Sequence, residues 1–264
     1  MKYEGYENIL LERRGTVLTA TLNRPEARNA ISSDLDHELS RLFLDVDRDP
    51  EVNVMVLTGA GKAFSAGGDI PGMLKGLDDI GSFETGYRNG KRILQSMLDC
   101  EKPIIARVNG DAVGLGATLA LFCDIVIADR KARIADPHVK VGLVAGDGGA
   151  VIWPQLAGYA RAKQYLLSGD LMTADEAERI GLIAYAVPTE ELDDKVAEWT
   201  EKLAAGAQKA IRYTKALINI GLKQQLAAMV DAGFALETVS SRSKEHAEAV
   251  NAFVAKRKPN FSDL

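Results

Sequence analysis

Cysteine, histidine and tryptophan are scarce in this sequence of 264 residues, which contains two, three and two of them. The cysteines, Cys100 and Cys123, stand in apolar surroundings, and no cysteine pair or cysteine–histidine cluster has the spacing of a zinc site. A chain of this length can bury a large core without disulfides or metals. We therefore expect two buried thiols, no metal and a reducing, cytoplasmic compartment.

Long apolar runs and an excess of positive charge are also missing. No stretch reaches the roughly 18 apolar residues of a membrane-spanning helix, and the first residues lack the apolar segment of a secretory signal peptide. The formal net charge is -5, so the chain has no overall basic field for nucleic acid. We expect a globular protein that binds neither a membrane nor nucleic acid.

Strand patterns alternate with helix patterns over most of the chain. Residues 9–12 and 16–22 predict a hairpin, and apolar residues at helical spacing predict a helix after the capping candidates Ser32 and Ser33. Further strands are predicted at 52–58, 104–108 and 125–128, and further helices at 92–98, 114–122 and from near 147–149. This alternation is typical of a mostly parallel sheet with helical crossovers. From about residue 192 three helices are predicted, at 192–205, 207–217 and 226–253.

Two glycine-containing stretches fail as nucleotide-binding motifs. Residues 58–63 lack the first glycine of a phosphate-binding loop and the hydroxyl residue that should follow its lysine, because Val56 and Ala63 stand there. Residues 114–116 lack the third glycine of a dinucleotide fingerprint, where Leu119 stands. We expect neither kind of nucleotide site.

Two loops that overlap these stretches favour a different kind of site. The loops at 63–70 and 108–117 each follow a predicted strand and contain small residues that let a ligand approach the backbone. Two such loops could direct two backbone N–H groups at one carbonyl oxygen, forming an oxyanion hole. The alternative is that their glycines only allow tight packing between strand and helix.

Many blocks of the sequence, in order, resemble the crotonase (enoyl-CoA hydratase/isomerase) superfamily. They lie at 22–25 with 28–30, 64–70, 109–116, 123–125, 142–149, 167–169 and 252–261. The resemblance implies an α/β fold, a crotonase-like spiral of repeated ββα units with a C-terminal helical trimerisation region. It further implies a core at 1–191 and helices at 192–264, assembled as a homotrimer or as a hexamer formed by two trimers.

The resemblance also implies the ligand and the groups that bind it. The substrate would be an acyl-CoA thioester, with coenzyme A as part of the substrate and no permanently bound cofactor. Its carbonyl oxygen would accept hydrogen bonds from the backbone N–H groups of Gly68 and Leu115. The implied CoA contacts are Ala27, Arg28, Ala30, Ala66, Asp69, Ile70, Phe253 and Lys256, the last two from the tail and possible contributions of a neighbouring subunit.

The sequence departs from the family where hydratases carry two catalytic glutamates. Thr118 and His138 stand at these positions, which puts ordinary hydration in doubt. His138 and Asp147 are the candidates for proton transfer, and Thr118 could orient water or a substrate hydroxyl. Asp147 could instead cap the next helix, and Asp111 could cap the helix after its loop. His37 and His246 are expected at the surface.

The sequence therefore predicts an acyl-CoA-processing enzyme, a lyase or isomerase that stabilises a thioester enolate. Isomerisation, thioester hydrolysis, decarboxylation and C–C cleavage remain open because they pass through the same oxyanion. A non-catalytic acyl-CoA-binding protein is the alternative of a different class. Glycines around residues 73–77 predict a mobile lid over the acyl pocket.

Overall fold

The computed structural model describes residues 3–70, 72, 80–262 and 264. The lid predicted at 73–77 lies outside the described residues. Strands β1 (Ile9–Arg14) and β2 (Val17–Leu22) form the predicted antiparallel hairpin around Gly15, whose φ is +59°. Helix α1 (Ser33–Arg48) follows, and the Ser32 hydroxyl accepts a hydrogen bond from the Leu35 N–H as its N-cap.

Three strand–strand–helix units form the body of the molecule. The first contains β3 (Val54–Gly59), β4 (Ala63–Ser65) and α2 (Ile80–Asp99). The second contains β5 (Ile104–Val108), β6 (Asp111–Val113) and α3 (Leu115–Leu121). The third contains β7 (Ile125–Asp129), β8 (Arg133–Ala135) and α4 (Gly149–Ser168). This repetition confirms the predicted ββα architecture.

Each unit contributes one strand to each of two sheets. The larger sheet has the order β1-β2-β3-β5-β7-β10 and is parallel from β2 onward. The smaller sheet has the order β4-β6-β8-β9. The strands β9 (Met172–Thr173) and β10 (Tyr185–Val187) flank the short helix α5 (Ala174–Arg179). Because β4, β6 and β8 are neighbours, the loops that follow them lie side by side.

The C-terminal part is helical. Helix α6 (Leu192–Ala204) packs Leu192 and Val196 on the larger sheet, so it shares a core with the body. Helix α7 (Gln208–Ser241) packs along α2, and α8 (Lys244–Val254) follows it. Among the described residues, no helix combines the length and apolar character needed to cross a membrane.

The predicted break between residues 217 and 226 is wrong, because one helix runs from Gln208 to Ser241. The intervening Gly221 is compatible with a helix at a cost of about 1 kcal/mol. The break lies instead before Ser243, whose hydroxyl accepts the N–H of His246 and caps α8. Helix α2 also begins well before the predicted residue 92.

The burial of the cysteines and histidines tests where the sequence analysis placed them. Both cysteines are buried, as predicted, and burial raises the pKa of Cys100 to about 11. His37 is exposed, as expected. His246 is 1% exposed, so its predicted surface position is wrong. Its ring hydrogen-bonds the Val141 carbonyl at 2.7 Å, because α8 packs against the turn that follows β8.

Candidate active site

The two glycine-containing loops meet backbone to backbone. They follow β4 and β6, which pair in parallel. A Cβ on Gly67, whose φ is +84°, would lie 2.6 Å from the Val113 carbonyl oxygen. A Cβ on Gly116 would lie 2.7 Å from the Ser65 carbonyl oxygen. Only glycine allows these approaches, so tight packing, the simpler of the two explanations, accounts for part of the glycine pattern.

The same contact brings Gly68 and Leu115 to one cavity. The cavity has a volume of about 330 Å³, and both residues line it. Leu115 is the first residue of α3, so its N–H has no carbonyl within the helix to bind. The predicted oxyanion-hole residues are thus neighbours across the cavity wall, and their role remains a prediction.

His138 lies on the adjacent wall, in the turn that follows β8. Gly114 faces it: a Cβ there would lie 3.7 Å from the His138 ring carbon Cε1. The ring is buried and held from both sides. Its Nδ1 binds the Asp136 carboxylate, and its Nε2 lies 3.3 Å from Oδ2 of Asp147. His138 and Asp147, predicted together from sequence, are therefore in direct contact.

These contacts determine the charge of the imidazole. Burial by itself lowers the pKa of His138, but the carboxylates of Asp147 and Asp136 outweigh it and raise that pKa well above its usual value. The two carboxylates therefore favour the charged form of the imidazole, in which both ring nitrogens donate.

Asp136, His138 and Asp147 also form a group that could hold a metal ion, since their ligand atoms lie within 4.8 Å of one another. Both ring nitrogens of His138 face carboxylates, Nδ1 toward Asp136 and Nε2 toward Asp147, so the contacts in this structure are those of a hydrogen-bonded triad.

Asp147 lies in the wall of the cavity. It is buried and lines the cavity, and the Thr118 hydroxyl donates a long hydrogen bond to it, with 3.5 Å between Oγ1 and Oδ1. Thr118 is fully buried, so it contacts Asp147 rather than the cavity. Capping does not explain Asp147, because Gly148 is the N-cap of α4 and no side chain caps that helix.

Asp111 does not cap α3 either. Its carboxylate binds Arg133 at 2.6 Å and accepts the Arg133 backbone N–H at 3.1 Å. Burial opposes the effect, but the guanidinium of Arg133 lowers the pKa of Asp111. The residue joins β6 to β8, and the expected capping role is wrong because Gly114 occupies the N-cap position.

The predicted CoA contacts fall into two groups. The first runs through Ala27, Arg28, Ala30, Ala66, Asp69 and Ile70. Within it, the Ala66 N–H donates to the Arg28 carbonyl at 2.9 Å, so the two segments lie side by side. Asp69 lines the cavity. The second group, Phe253 and Lys256, is exposed at and beyond the end of α8, outside the cavity lining formed by the described residues.

Several cavity residues escaped the sequence analysis. Asp36 on α1 and Glu237 on α7 add carboxyl groups, and Tyr87 and Phe234 add aromatic rings. Burial raises the pKa of Asp36 to about 6, although a hydrogen bond from Asn89 opposes the shift. One signal was available: Glu237 is the single charged residue in the stretch 232–239, otherwise made of small, apolar and hydroxyl residues.

Comparison with known proteins identifies the family. A family model described as enoyl-CoA hydratase/isomerase matches residues 12–264. Crotonyl-CoA hydratase of Syntrophomonas wolfei is 36% identical over 261 residues, which span 97% of this chain and 98% of the relative. The 1,2-epoxyphenylacetyl-CoA isomerase of Escherichia coli is 34% identical over 262 residues, with 97% and 98% covered.

Solved structures give the same result. An enoyl-CoA hydratase/isomerase from Mycobacterium paratuberculosis superposes with a TM-score of 0.91 at 34% identity, covering 94% of this chain and 99% of that one. The sequence resemblance, the ββα spiral and these matches lead to one conclusion: the chain belongs to the enoyl-CoA hydratase/isomerase family.

Proposed function

We propose that the protein is an enzyme that hydrates 2-enoyl-CoA thioesters, with the thioester oxygen bound by the N–H groups of Gly68 and Leu115. One observation carries the proposal: both residues line a single cavity together with His138 and Asp147. Two N–H donors directed at that oxygen would stabilise the enolate that forms when water adds to the conjugated double bond. The name of the Syntrophomonas relative, a crotonyl-CoA hydratase, supports this substrate class.

Proton transfer would use a new set of side chains. The hydratase glutamates are replaced by Thr118 and His138, and neither can act as a carboxylate base. Asp147 lies in the same cavity and would accept a proton from the attacking water. His138, charged and held by Asp136, would orient Asp147 and stabilise its negative charge.

Double-bond isomerisation is the second candidate. It requires proton transfer between carbons but no added water, so a single carboxylate such as Asp147 suffices. The name of the Escherichia coli relative, an isomerase that is 34% identical, favours this candidate. Product analysis separates the two, since hydration adds the mass of water and isomerisation does not.

The proposal also covers the cofactor requirement, the oligomeric state and the cellular location of the enzyme. Coenzyme A would enter as part of the substrate, and no resident cofactor is required. A homotrimer or a dimer of trimers would form through the C-terminal helices, where Leu217, Ile218 and Val239 of α7 are exposed. Phe253 and Lys256 would then contact CoA from a neighbouring subunit. We propose a cytoplasmic location, consistent with two free thiols.

The proposal is tested by removing one oxyanion donor. Proline is tolerated as the first residue of a helix, so Leu115→Pro deletes the N–H with little change to α3. Leu115→Ala is the matched variant, because it removes the side chain and keeps the donor. With crotonyl-CoA as substrate, kcat of Leu115→Pro should be about 10²–10³-fold below that of Leu115→Ala. Equal kcat values in the two variants would exclude the oxyanion role.

A further inference from the structure

Glu237 is a half-buried residue whose carboxyl group has no evident structural role. It lies on α7, near the C-terminal end, and lines the same cavity as Asp147 and His138. Its Oε2 atom is buried and has no hydrogen-bond partner among the described residues. A buried polar atom left unpaired destabilises a fold, so its presence beside a cavity calls for a functional explanation.

The position of Glu237 is held by specific contacts. A Cβ on Gly146 would lie 2.3 Å from the Gly233 carbonyl oxygen and 2.9 Å from Oε2 of Glu237, so the loop before Asp147 touches α7 directly. The Val144 N–H donates to the Ser240 hydroxyl at 3.2 Å, which ties the same loop to α7. The loop that carries Asp147 and the helix that carries Glu237 therefore form one rigid wall.

The charges around Glu237 favour its protonated form. Burial raises its pKa to about 8, and the negative charges of Asp147 and Asp136 act in the same direction, while His138 opposes them. The cluster contains three carboxyl groups and one imidazolium. A neutral Glu237 leaves two carboxylates beside that cation, which reduces repulsion at a site with little solvent.

We propose that Glu237 is the acid partner of Asp147, a carboxylic acid that delivers a proton to the substrate α-carbon. This inference rests on the proposed function. It would explain how hydration proceeds without the two family glutamates: Asp147 and Glu237 supply a pair of carboxyl groups from different elements of the fold.

The step balances in protons and electrons. The water oxygen forms a bond to the β-carbon, and its proton passes to the carboxylate of Asp147. The electron pair of the double bond moves toward the thioester oxygen, and the resulting enolate takes the carboxyl proton of Glu237 at the α-carbon. A proton then returns from Asp147 to Glu237 through the shared cavity, which restores both groups.

The test uses the full-length protein and crotonyl-CoA. Glu237→Gln keeps the size of the side chain but cannot release a proton, so kcat should fall about 10²–10⁴-fold with little change in KM. Glu237→Asp keeps a carboxyl group and should retain part of the lost activity. Glu201→Gln, the same change at an exposed position of α6, should behave like the parent.

Two pH measurements separate catalysis from structure. Parent activity should fall as pH rises through about 8, and this fall should disappear in Glu237→Gln. When the pKa of a carboxyl group is higher in the folded than in the unfolded protein, the protein loses stability as the pH rises between the two values. The thermal midpoint of Glu237→Gln should therefore exceed that of the parent by an amount that grows from pH 4.5 to about 8.

The outcomes are distinct. A Glu237→Gln variant with the kcat and pH profile of the parent, beside an inactive Asp147→Asn, would overturn the role of Glu237 and leave the proposed function standing. A Glu237→Gln variant that is inactive and less stable than the parent at pH 8 would assign Glu237 to structure and also overturn the inference. If the parent neither converts crotonyl-CoA nor exchanges the α-protons of butyryl-CoA with deuterated water, the proposed function and the inference both fail.

Discussion

Helix α7 carries an ionisable side chain toward each end, Lys215 and Glu237, and the surroundings of the two differ. Toward the N-terminal end, Lys215 binds Asp124 at 2.7 Å and donates to the Lys102 carbonyl at 2.8 Å. Asp124 also accepts the Ile104 N–H at 2.7 Å. Lys102 donates in turn to the carbonyl oxygens of Val46 and Asp49. We call Lys102, Asp124 and Lys215 the lysine cluster.

About 30 Å along the helix, Glu237 belongs to the acid cluster, which consists of Asp136, His138, Asp147 and Glu237. Three carboxyl groups share one imidazolium there. Two oxygen atoms, Oδ2 of Asp136 and Oε2 of Glu237, are buried without a hydrogen-bond partner among the described residues. Three residues of the acid cluster, His138, Asp147 and Glu237, line a cavity.

The two clusters differ in how completely their charged and polar atoms are paired. Each lysine of the lysine cluster has oxygen partners, so the cluster connects α7 to the body and needs no ligand. The acid cluster keeps carboxyl groups in excess and polar atoms unpaired, which reduces stability unless a substrate or proton uses them. Burial alone does not mark a functional residue, and the proposed role of the acid cluster rests on incomplete pairing beside a cavity.

The largest effect is expected in the acid cluster. Asp147→Asn removes the carboxylate that would accept a proton while it keeps the side-chain shape, so kcat with crotonyl-CoA should fall about 10²–10⁴-fold. Its free energy of unfolding should change less than that of a variant in the lysine cluster. Steady-state kinetics and urea denaturation on the same preparation check both statements. Undiminished kcat would remove Asp147 from the mechanism.

The lysine cluster should respond in the opposite way. Lys215→Met removes the cation that binds the partly exposed carboxylate of Asp124 and the Lys102 carbonyl, and the loss of a hydrogen bond to a charged group costs about 1.5–3 kcal/mol. Urea denaturation measures this loss, and kcat of the folded fraction should stay close to that of the parent. A selective loss of kcat with normal stability would reverse the comparison between the two clusters.

The smallest effect is expected at a helix cap that lies outside both clusters. This variant is the reference for the Asp147 and Lys215 variants. The Thr173 hydroxyl accepts the Glu176 N–H at 3.2 Å and caps α5. Thr173→Ala should cost about 1 kcal/mol of unfolding free energy. The same denaturation and kinetic measurements apply, and kcat should not change. A loss as large as that of Lys215→Met would mean that denaturation does not resolve the two kinds of site.

Local patterns predicted most of the elements. The hairpin of β1 and β2, the buried strand β3 and the cap of α1 by Ser32 follow from short-range chemistry, and the structure confirms them. The misplaced break in α7 shows where such patterns fail. A less apolar stretch near Gly221 resembles a boundary, but packing of α7 along α2, including the contact of Asn219 with the Leu98 carbonyl, keeps the helix continuous.

The candidate site was also predicted only in part from local sequence patterns. Family motifs indicated Gly68, Leu115, His138 and Asp147, and the structure brings all four to one cavity. No local pattern indicated that Asp136 would bind His138 or that Glu237 would line the same cavity as Asp147. The second relationship joins residues about ninety positions apart in the chain, and only long-range packing creates it.

The sequence by itself determined the family and the alternation of strands and helices, because motifs and periodicity are local properties of the chain. Tertiary structure decided which ionisable side chains meet at the cavity. The charge of His138 depends on two carboxylates that meet only after β8 and the loop before α4 have packed. The raised pKa of Glu237 depends on burial and on Asp147, since a pKa reflects the folded surroundings of a group and not its neighbours in sequence.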